Sequence, residues 1–189
     1  AAVTGFLLAL NLPPSIPIWI AVVGAVLAVA LIKQLFGGLG QNFMNPALGA
    51  RVMMVVAWAG RMTAWIDPVT DAVTSATPLG ILKEGGEKAL YMDMFWGNIA
   101  GCIGETSAFA ILIGFAYLLV RKVITWHIPV IYTGTVALLT WVLGPNGIFT
   151  GDPLYHVLGG GLLLGAVFMA TDYVTCPITR KGIIIYAIG

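Results

Sequence analysis

The sequence predicts an all-α, polytopic integral membrane protein, and three observations lead to this fold class: its composition, its apolar segments and an internal repeat. Of the 189 residues, 59% are hydrophobic and 9% are charged, whereas soluble domains average about 45–50% apolar and about 25% charged residues. The mean hydropathy is +0.97. Because so few charged side chains cannot cover a soluble domain of this length, we expect a membrane protein.

Charge and cysteine content exclude several classes of function. The formal net charge is +1, whereas a protein that binds nucleic acid needs a basic surface to neutralise phosphates. Two cysteines, Cys102 and Cys176, can neither form a disulfide framework nor supply the four thiolates of an iron–sulfur cluster. His127 and His156 each lack a second ligand at metal-binding spacing. We therefore expect no metal site, and redox chemistry would need another cofactor.

Apolar segments of nearly spanning length are the second observation, since a membrane-crossing helix needs about 20 residues. Five such segments run from about Ile16 to Ile32, Pro46 to Gly60, Glu105 to Val120, Ile128 to Leu143 and Pro153 to Thr171. A further stretch, from Met92 to Gly104, is too short and too rich in glycine to span alone. We expect it to form a half-helix or re-entrant segment whose backbone is covered by protein or a cavity.

The third observation is an internal repeat. An Ile16-Pro17 pair, an apolar helix, a glycine-rich break and Asn45-Pro46 recur as Ile128-Pro129, an apolar helix, a second break and Asp152-Pro153. If residues 92–104 do not cross, an odd number of crossings separates the copies, and the copies are inverted. Inverted repeats with broken helices are typical of transporter-like folds. The alternative explanation is that Gly and Pro simply recur in membrane loops.

The distribution of basic residues predicts the orientation of the chain. Both ends lie inside apolar runs, so we expect residues 1–189 to be a single transmembrane domain and a fragment of a longer subunit. The short loops of one side hold Lys33, Arg121, Lys122, Arg180 and Lys181. By the positive-inside rule this side faces the cytoplasm, and the long loop at residues 61–91 then faces outward.

That outward loop contains the most informative motif, which runs from Asp71 to Leu79 as Asp-Ala-Val-Thr-Ser-Ala-Thr-Pro-Leu. Thr77 followed by Pro78 is typical of a helix start, with a hydroxyl at the N-cap and proline at the first helical position. This local role accounts for Thr77 but leaves the neighbouring hydroxyls of Thr74 and Ser75 unexplained. A helix N-terminus also favours a phosphate group, because its free N–H groups and its dipole attract an anion.

The motif resembles the Ser/Thr-Gly-Ala-Thr flavinylation motif, followed by Pro-Leu, of the RnfD subunit of the Rnf ion-translocating electron-transport complexes. The related NqrB subunit of the sodium-pumping NADH:quinone reductase shares it. In this family the last threonine carries FMN through a phosphoester bond. The resemblance therefore implies covalent FMN on Thr77, within a cofactor-binding segment that also includes Asp71, Thr74, Ser75 and Ala76. Ser75 replaces the glycine that is usual in the family.

The resemblance extends along the whole sequence. Similar segments begin at Gly37, Gly97, Arg121 and Met169, in the order expected for this family. The short glycine-rich loop before the second apolar segment is more similar to the Rnf subunit than to the quinone reductase subunit. The family also resembles urea-transporter-like folds built from inverted repeats, in agreement with the repeat described above.

The resemblance implies an electron-carrying membrane subunit of an ion-translocating ferredoxin:NAD⁺ oxidoreductase complex that is not catalytic alone. Its implied partners are the other subunits of an Rnf-type complex, a flavin transferase and membrane lipid. Its implied location is the cytoplasmic membrane of a bacterium or archaeon, with Thr77 on the outer side. The sequence does not determine whether Na⁺ or H⁺ is transported, or whether a second flavin such as riboflavin is bound. Two alternatives remain, namely the quinone reductase subunit and a urea- or ion-channel-like transporter without flavin.

Polar residues within the apolar segments are further candidates. Arg51 would neutralise a flavin ring or its phosphate; the alternatives are snorkelling and pairing with an acid such as Asp172. Glu105 would line an ion or proton path, or would be an acid at a helix N-terminus, where the dipole favours it. A possible ion or flavin path also includes Gln41, Asn42 and Asn45, in a glycine-rich break that is equally compatible with an ordinary loop.

Overall fold

A computed structural model describes residues 1–38, 40–68, 73–74, 77–144 and 147–189, with only the backbone described at residues 73–74. The first helices are α1 (Ala2–Leu10), α2 (Ile18–Val26), α3 (Pro46–Ala57) and α4 (Ala59–Met62). They are followed by α5 (Pro78–Lys83), α6 (Tyr91–Trp96), α7 (Ala108–Val120), α8 (His127–Val142), α9 (Pro153–Leu158), α10 (Leu162–Leu164) and α11 (Arg180–Ile188). π-Helical segments extend α2 over Leu27–Gln34 and α10 over Gly165–Met169.

Two short antiparallel strand pairs accompany the helices. Strands β1 (Trp65–Ile66) and β2 (Val73–Thr74) pair Trp65 with Thr74, and β3 (Leu143–Gly144) and β4 (Gly147–Ile148) pair Leu143 with Ile148. The predicted helical class is confirmed for the described residues as a mostly helical fold. The two strand pairs, of two residues per strand, add short β structure to this helical fold.

The helices are shorter than the predicted crossings. Among the residues described, none of the helices combines the length and apolar character that a membrane crossing requires. Local breaks are the physical cause: α3 ends at Trp58, where φ is −134°, and α7 begins after Ser107, whose hydroxyl accepts a hydrogen bond from Ala110 N. The prediction of five helices of spanning length is therefore wrong for the described residues.

The fifth predicted segment, from Pro153 to Thr171, is also not one helix. Helix α9 ends at Gly159, whose backbone is extended, with ψ at 130°, and Gly160 has φ at +76°. That φ lies in the left-handed region that glycine enters without steric cost. Three consecutive glycines thus divide the segment, and the chain resumes as α10. The break brings Gly160 and Gly161 to the site described below.

Three buried clusters hold these elements together. The N-terminal cluster joins α1, α2 and its π extension, and α3, through Leu8, Ile20, Ile32 and Met54. A second cluster packs α7 against α10 and its extension, with Ile111, Leu164 and Val167 in contact. A third and smaller cluster contains Met94, Ile99 and Tyr155, and the partly buried Leu79 and Leu82 of α5 pack against it. This third cluster therefore fixes α5, and with it Thr77, against α6 and α9.

Asn45-Pro46 and Asp152-Pro153, the pairs matched by the predicted repeat, begin their helices in the same way. Asn45 Oδ1 accepts hydrogen bonds from the N–H groups of Ala47 and Leu48, and Asp152 Oδ1 accepts one from Tyr155 N. In both helices proline occupies the first turn, where its missing N–H costs no intrahelical hydrogen bond. This shared cap supports the repeat at the level of local structure, and the inversion stays a prediction.

Gly97 closes α6, and its replacement by valine should destabilise the fold. Gly97 has φ at +105°, and a Cβ added to it would lie 3.0 Å from Ser107 Cβ and 3.2 Å from Ser107 Cα. Because both the dihedral angle and the contact oppose a side chain, we expect Gly97→Val to cost about 1–3 kcal/mol. Thermal unfolding of the full-length subunit measures this cost. Gly5→Ala is the matched control, since a Cβ at Gly5 has no neighbour within 4 Å, and an equal loss in both variants would contradict the prediction.

Candidate functional site

Thr77 begins α5, as the Thr-Pro pair predicts. Its Oγ1 accepts a hydrogen bond from Gly80 N at 3.2 Å, and Pro78 occupies the first turn. Thr74 belongs to the strand β2, whereas Asp71, Ser75 and Ala76 lie outside the described residues. Helix α5 is only six residues long, so its dipole is a weak source of attraction for a phosphate. Another positive group near Thr77 is therefore needed to hold an anion.

A cavity of about 250 Å³ supplies such a group, because it brings Thr77 together with Arg51 and Glu105. These residues are far apart in the sequence, on α5, on α3 and in the segment before α7. The lining of the cavity consists of Arg51, Trp65, Thr77, Pro78, Ile99, Ala100, Gly101, Glu105, Gly160 and Gly161. One hydroxyl, one guanidinium and one carboxylate thus line the same space, alongside three glycines.

Arg51 is held in place by two residues from other parts of the chain. Its Nη1 donates to Asn11 Oδ1 at 2.9 Å, and its Nη2 lies 3.2 Å from Cys102 Sγ. Asn11 is 2% exposed and Cys102 is fully buried, so the guanidinium is anchored before any ligand is present. Asp172, the acid that the sequence offered as a partner, lines a different cavity. The fixed guanidinium is suited to bind a phosphate or an electron-rich ring.

Glu105 is a buried carboxylate, 7% exposed. Its Oε1 accepts a hydrogen bond from Cys102 N at 3.0 Å, and a Cβ placed on Gly161 would lie 2.8 Å from its Oε2. Glu105 lies two residues before Ser107, the cap of α7, and therefore precedes the first turn of that helix. Glycine at position 161 leaves room for the carboxylate beside the cavity.

The cavity that contains Thr77 is not lined by Gln41, Asn42 or Asn45. Asn42 and Asn45 line a second cavity of about 250 Å³, together with Lys33 and Asp172. Asn45 has the capping role given above, and its Nδ2 also donates to Met169 O at 3.4 Å. Oδ1 of Asn42 is buried without a hydrogen-bond partner in the described part of the chain, and Gln41 is exposed. The predicted path therefore divides between two separate cavities.

A polar network that the sequence did not reveal connects the loop at residues 61–91 to α9. Asp152 Oδ2 accepts hydrogen bonds from Lys88 Nζ at 2.9 Å and from the Tyr91 hydroxyl. The Tyr155 hydroxyl donates to Pro78 O at 3.0 Å and accepts from Ala89 N at 3.3 Å. The polar residues Lys88 and Asp152 at the two ends of this network were visible in the sequence, but nothing in their spacing indicated that they meet.

The network shifts the ionisation of its charged members. The hydrogen bond to Asp152 raises the pKa of Lys88 above its ordinary value. Partial burial acts to raise the pKa of Asp152, but hydrogen bonds from Tyr91 and Lys88 outweigh it and leave the pKa below its ordinary value. A lowered carboxyl pKa stabilises the fold above the unfolded-state pKa, and this contribution is lost as the pH falls through the folded-state pKa.

We therefore expect the contribution of Asp152 to stability to depend on pH. The thermal midpoint of the full-length subunit should exceed that of its Asp152→Asn variant near pH 6, and the difference should shrink as the pH falls below the ordinary aspartate pKa of about 3.9. Asparagine keeps the helix cap, so the difference reports the charged contacts. A difference that grows on acidification would contradict the prediction. Since Lys88 is half-exposed, the effect will be modest.

The comparison with known families identifies the class of protein to which this fold and site belong. The model of the NQR2, RnfD, RnfE family matches residues 1–189. The chain belongs to this family, and the family predicted from the motifs is confirmed.

Individual relatives refine this assignment. The chain is 53% identical to the D subunit of the Na⁺-translocating ferredoxin:NAD⁺ oxidoreductase complex of Acetobacterium woodii, over 100% of this chain and 59% of that protein. It is 49% identical to the D subunit of the proton-translocating ferredoxin:NAD⁺ oxidoreductase complex of Clostridium ljungdahlii, over 100% of this chain and 61% of the relative. It is 39% identical to the D subunit of the ion-translocating oxidoreductase complex of Stutzerimonas stutzeri, over 100% of this chain and 63% of that relative. The chain thus spans less than two thirds of the length of these relatives.

Proposed function

We propose that the chain belongs to a membrane subunit of an ion-translocating ferredoxin:NAD⁺ oxidoreductase complex, and that Thr77 carries FMN through a phosphoester bond. The observation that carries the proposal is the position of Thr77. Its hydroxyl lies within a motif similar to the flavinylation motif of the family, and it lines a cavity with the anchored guanidinium of Arg51. The names of the relatives support the type of complex.

The residues of the cavity fit an FMN phosphoester. The Thr77 hydroxyl supplies the ester oxygen, which attacks the flavin phosphorus of a donor in which FMN is joined to a second nucleotide through a diphosphate. The bond from that phosphorus to the bridging oxygen breaks, and the second nucleotide leaves with the hydroxyl proton. The hydrogen bond from Gly80 N to Thr77 Oγ1 can persist, because an ester oxygen keeps its lone pairs. Arg51 supplies positive charge for the phosphate or the ring, while Gly101, Gly160 and Gly161 leave space that larger side chains would fill.

When bound, FMN supplies the redox chemistry, and the protein supplies position and electrostatics. Cys102 and Cys176 are free thiols, too few for an iron–sulfur cluster, so the sites for ferredoxin and NAD⁺ would lie on other subunits. In this proposal the chain carries electrons within the complex and does not catalyse the whole reaction alone. The first two relatives named above are described for different ions, and the proposal therefore specifies no ion.

The proposal places the chain in the cytoplasmic membrane of a bacterium or archaeon, with the loop of Thr77 on the outer side. Its support is the composition, with 59% hydrophobic and 9% charged residues, and the asymmetry of lysine and arginine between loops. Inverted repeats and broken helices belong to the same proposal. The helix break at Gly159–Gly161 and the matched caps at Asn45 and Asp152 support them.

The test is direct detection of a covalent flavin. The full-length subunit is produced together with a flavin transferase, denatured, and separated on a gel under ultraviolet light. We expect a fluorescent band, and a peptide containing Thr77 whose mass is increased by one FMN less one water. A band without fluorescence, with no mass increase, would refute the flavin assignment and would favour a transporter without flavin.

A further inference from the structure

The first turn of α9 holds both ends of the segment that begins at Thr77. Tyr155 is fully buried, and its hydroxyl bonds to the carbonyl of Pro78 and the amide of Ala89. Asp152, the cap of the same helix, bonds to Lys88 and Tyr91. The peptide carbonyl next to Thr77 is therefore tied to a buried side chain on another helix, and the return of the loop is tied to that helix a few residues away.

Packing makes this attachment rigid. The Lys88 ammonium lies 5.7 Å from the centre of the Tyr155 ring, and the rings of Tyr91 and Tyr155 meet edge to face at 6.2 Å. Leu79, two residues after Thr77, lies against the far end of α9, where a Cβ on Gly159 or Gly160 would be 3.2 Å from its side chain. The buried Tyr155 and the partly buried Leu79 therefore have few alternative positions.

Helix α9 also continues into the wall of the cavity. Its last residue is Leu158, and Gly160 and Gly161 line the cavity that Thr77 shares with Arg51. One short element therefore bonds to the Pro78 carbonyl at its first turn and leads into the lining of the cavity just beyond its last turn.

We propose that Tyr155 is the positioning residue for Thr77, and that Lys88 and Asp152 support it from the side exposed to solvent. The hydroxyl of Tyr155 fixes the turn in which Thr77 is presented to a flavin transferase and, after attachment, the orientation of the flavin at the cavity. The inference rests on the proposed attachment of FMN to Thr77. Tyr155 acts through the Pro78 carbonyl and does not touch the reacting hydroxyl.

Tyr155→Phe tests this role, because it removes the hydroxyl and keeps the ring. We expect the initial rate of flavin attachment to fall about two- to ten-fold at equal amounts of assembled subunit, the range set by one hydrogen bond. The fluorescence anisotropy of the attached flavin should decrease as well. In flavin-free protein, the amide of Ala89 should exchange faster with solvent deuterium. Tyr117→Phe is the matched control, on the exposed side of α7, and should leave all three readouts unchanged.

Lys88→Met is a second variant. It alters a half-exposed side chain instead of a buried one. We expect it to lower the attachment rate in the same direction but less than Tyr155→Phe. Wild-type attachment rate and anisotropy in Tyr155→Phe, in a protein that is flavinylated when unmodified, would overturn this inference alone. A wild-type protein that carries no flavin would overturn the proposed function, and the inference with it, so the two failures are distinguishable.

Discussion

Replacing Thr77 by valine is expected to remove the covalent flavin completely. Valine has nearly the shape of threonine but no hydroxyl, so no phosphoester can form at residue 77. Fluorescence of the denatured band and the mass of the peptide containing residue 77 measure the loss. Valine also removes the N-cap of α5, in which Thr77 Oγ1 accepts from Gly80 N, and losing such a cap costs about 1 kcal/mol.

A matched variant separates the loss of the cap from the loss of the flavin. Thr77→Asn keeps an oxygen that can cap the helix but provides no hydroxyl for the ester, so it should fold like the wild type and carry no flavin. Thr77→Ser should keep both the cap and a measurable amount of flavin. A fluorescent band from Thr77→Val would place the flavin on another residue, and the hydroxyls of Thr74 and Ser75 would be the first to examine.

Local signals were sufficient to predict how several helices begin. Thr77-Pro78, Asn45-Pro46 and Asp152-Pro153 each place a capping side chain before a proline, and each begins a helix in the structure. Such caps involve atoms two or three residues apart, so the sequence alone contains the required information. The family could be predicted for a similar reason, because its motif is a short run of neighbouring residues.

The lengths of the helices were harder to predict from the sequence. Hydropathy marks where apolar residues occur, but it does not mark the residue at which the backbone leaves the helix. Trp58 ends α3 without Gly or Pro at that position, and Gly159–Gly161 divide a segment that hydropathy treats as continuous. The backbone angles of the three glycines make them a break beside the cavity.

Thr77, Arg51 and Glu105 were candidates from the sequence, but their arrangement around one cavity could not be predicted, because it depends on contacts across long separations in sequence. Arg51 was a candidate, but its anchors Asn11 and Cys102 are separated from it by 40 and 51 residues. Tyr155 contacts Pro78 across 77 residues. No periodicity or motif links such positions, and only the packing of α3, α9 and the segment before α7 brings them together. The same packing excludes Asn42 and Asn45, which lie at a different cavity.

Arg51→Met is expected to be among the most destabilising single changes at the site. Methionine has a similar length, but it leaves Asn11 Oδ1 without its donor and the buried carboxylate of Glu105 without the cation that shares its cavity. Leaving a buried hydrogen-bond acceptor such as Asn11 Oδ1 without its donor costs about 1–3 kcal/mol. Thermal unfolding of the full-length subunit measures this cost, and Arg61→Met, at an exposed position of α4, is the control that should change little.

The midpoint potential of the bound flavin should also depend on the charge of Arg51, independently of the stability of the fold. A guanidinium beside the cavity favours the more negatively charged, reduced form of a bound flavin, so its removal should shift the midpoint potential to more negative values by tens of millivolts. Arg51→Lys should leave the midpoint potential of the flavin nearly unchanged, because the positive charge is kept. It should still lower the free energy of unfolding, since one ammonium cannot reproduce both contacts of the guanidinium. An unchanged potential in Arg51→Met would mean that Arg51 is purely structural.

A double variant identifies the source of the stability loss. If Arg51→Met is destabilising because Glu105 is left uncompensated, then adding Glu105→Gln, which keeps an oxygen to accept from Cys102 N, should restore part of the lost stability. The coupling between the two changes should then exceed about 0.5 kcal/mol. If the losses simply add, the two side chains act independently, and the cost of Arg51→Met comes from Asn11. Glu105 lines the cavity of Thr77, whereas Asn11 does not. Additive losses would therefore mean that Arg51 stabilises the packing of α1 against α3. Coupled losses would mean that Arg51 stabilises the cavity.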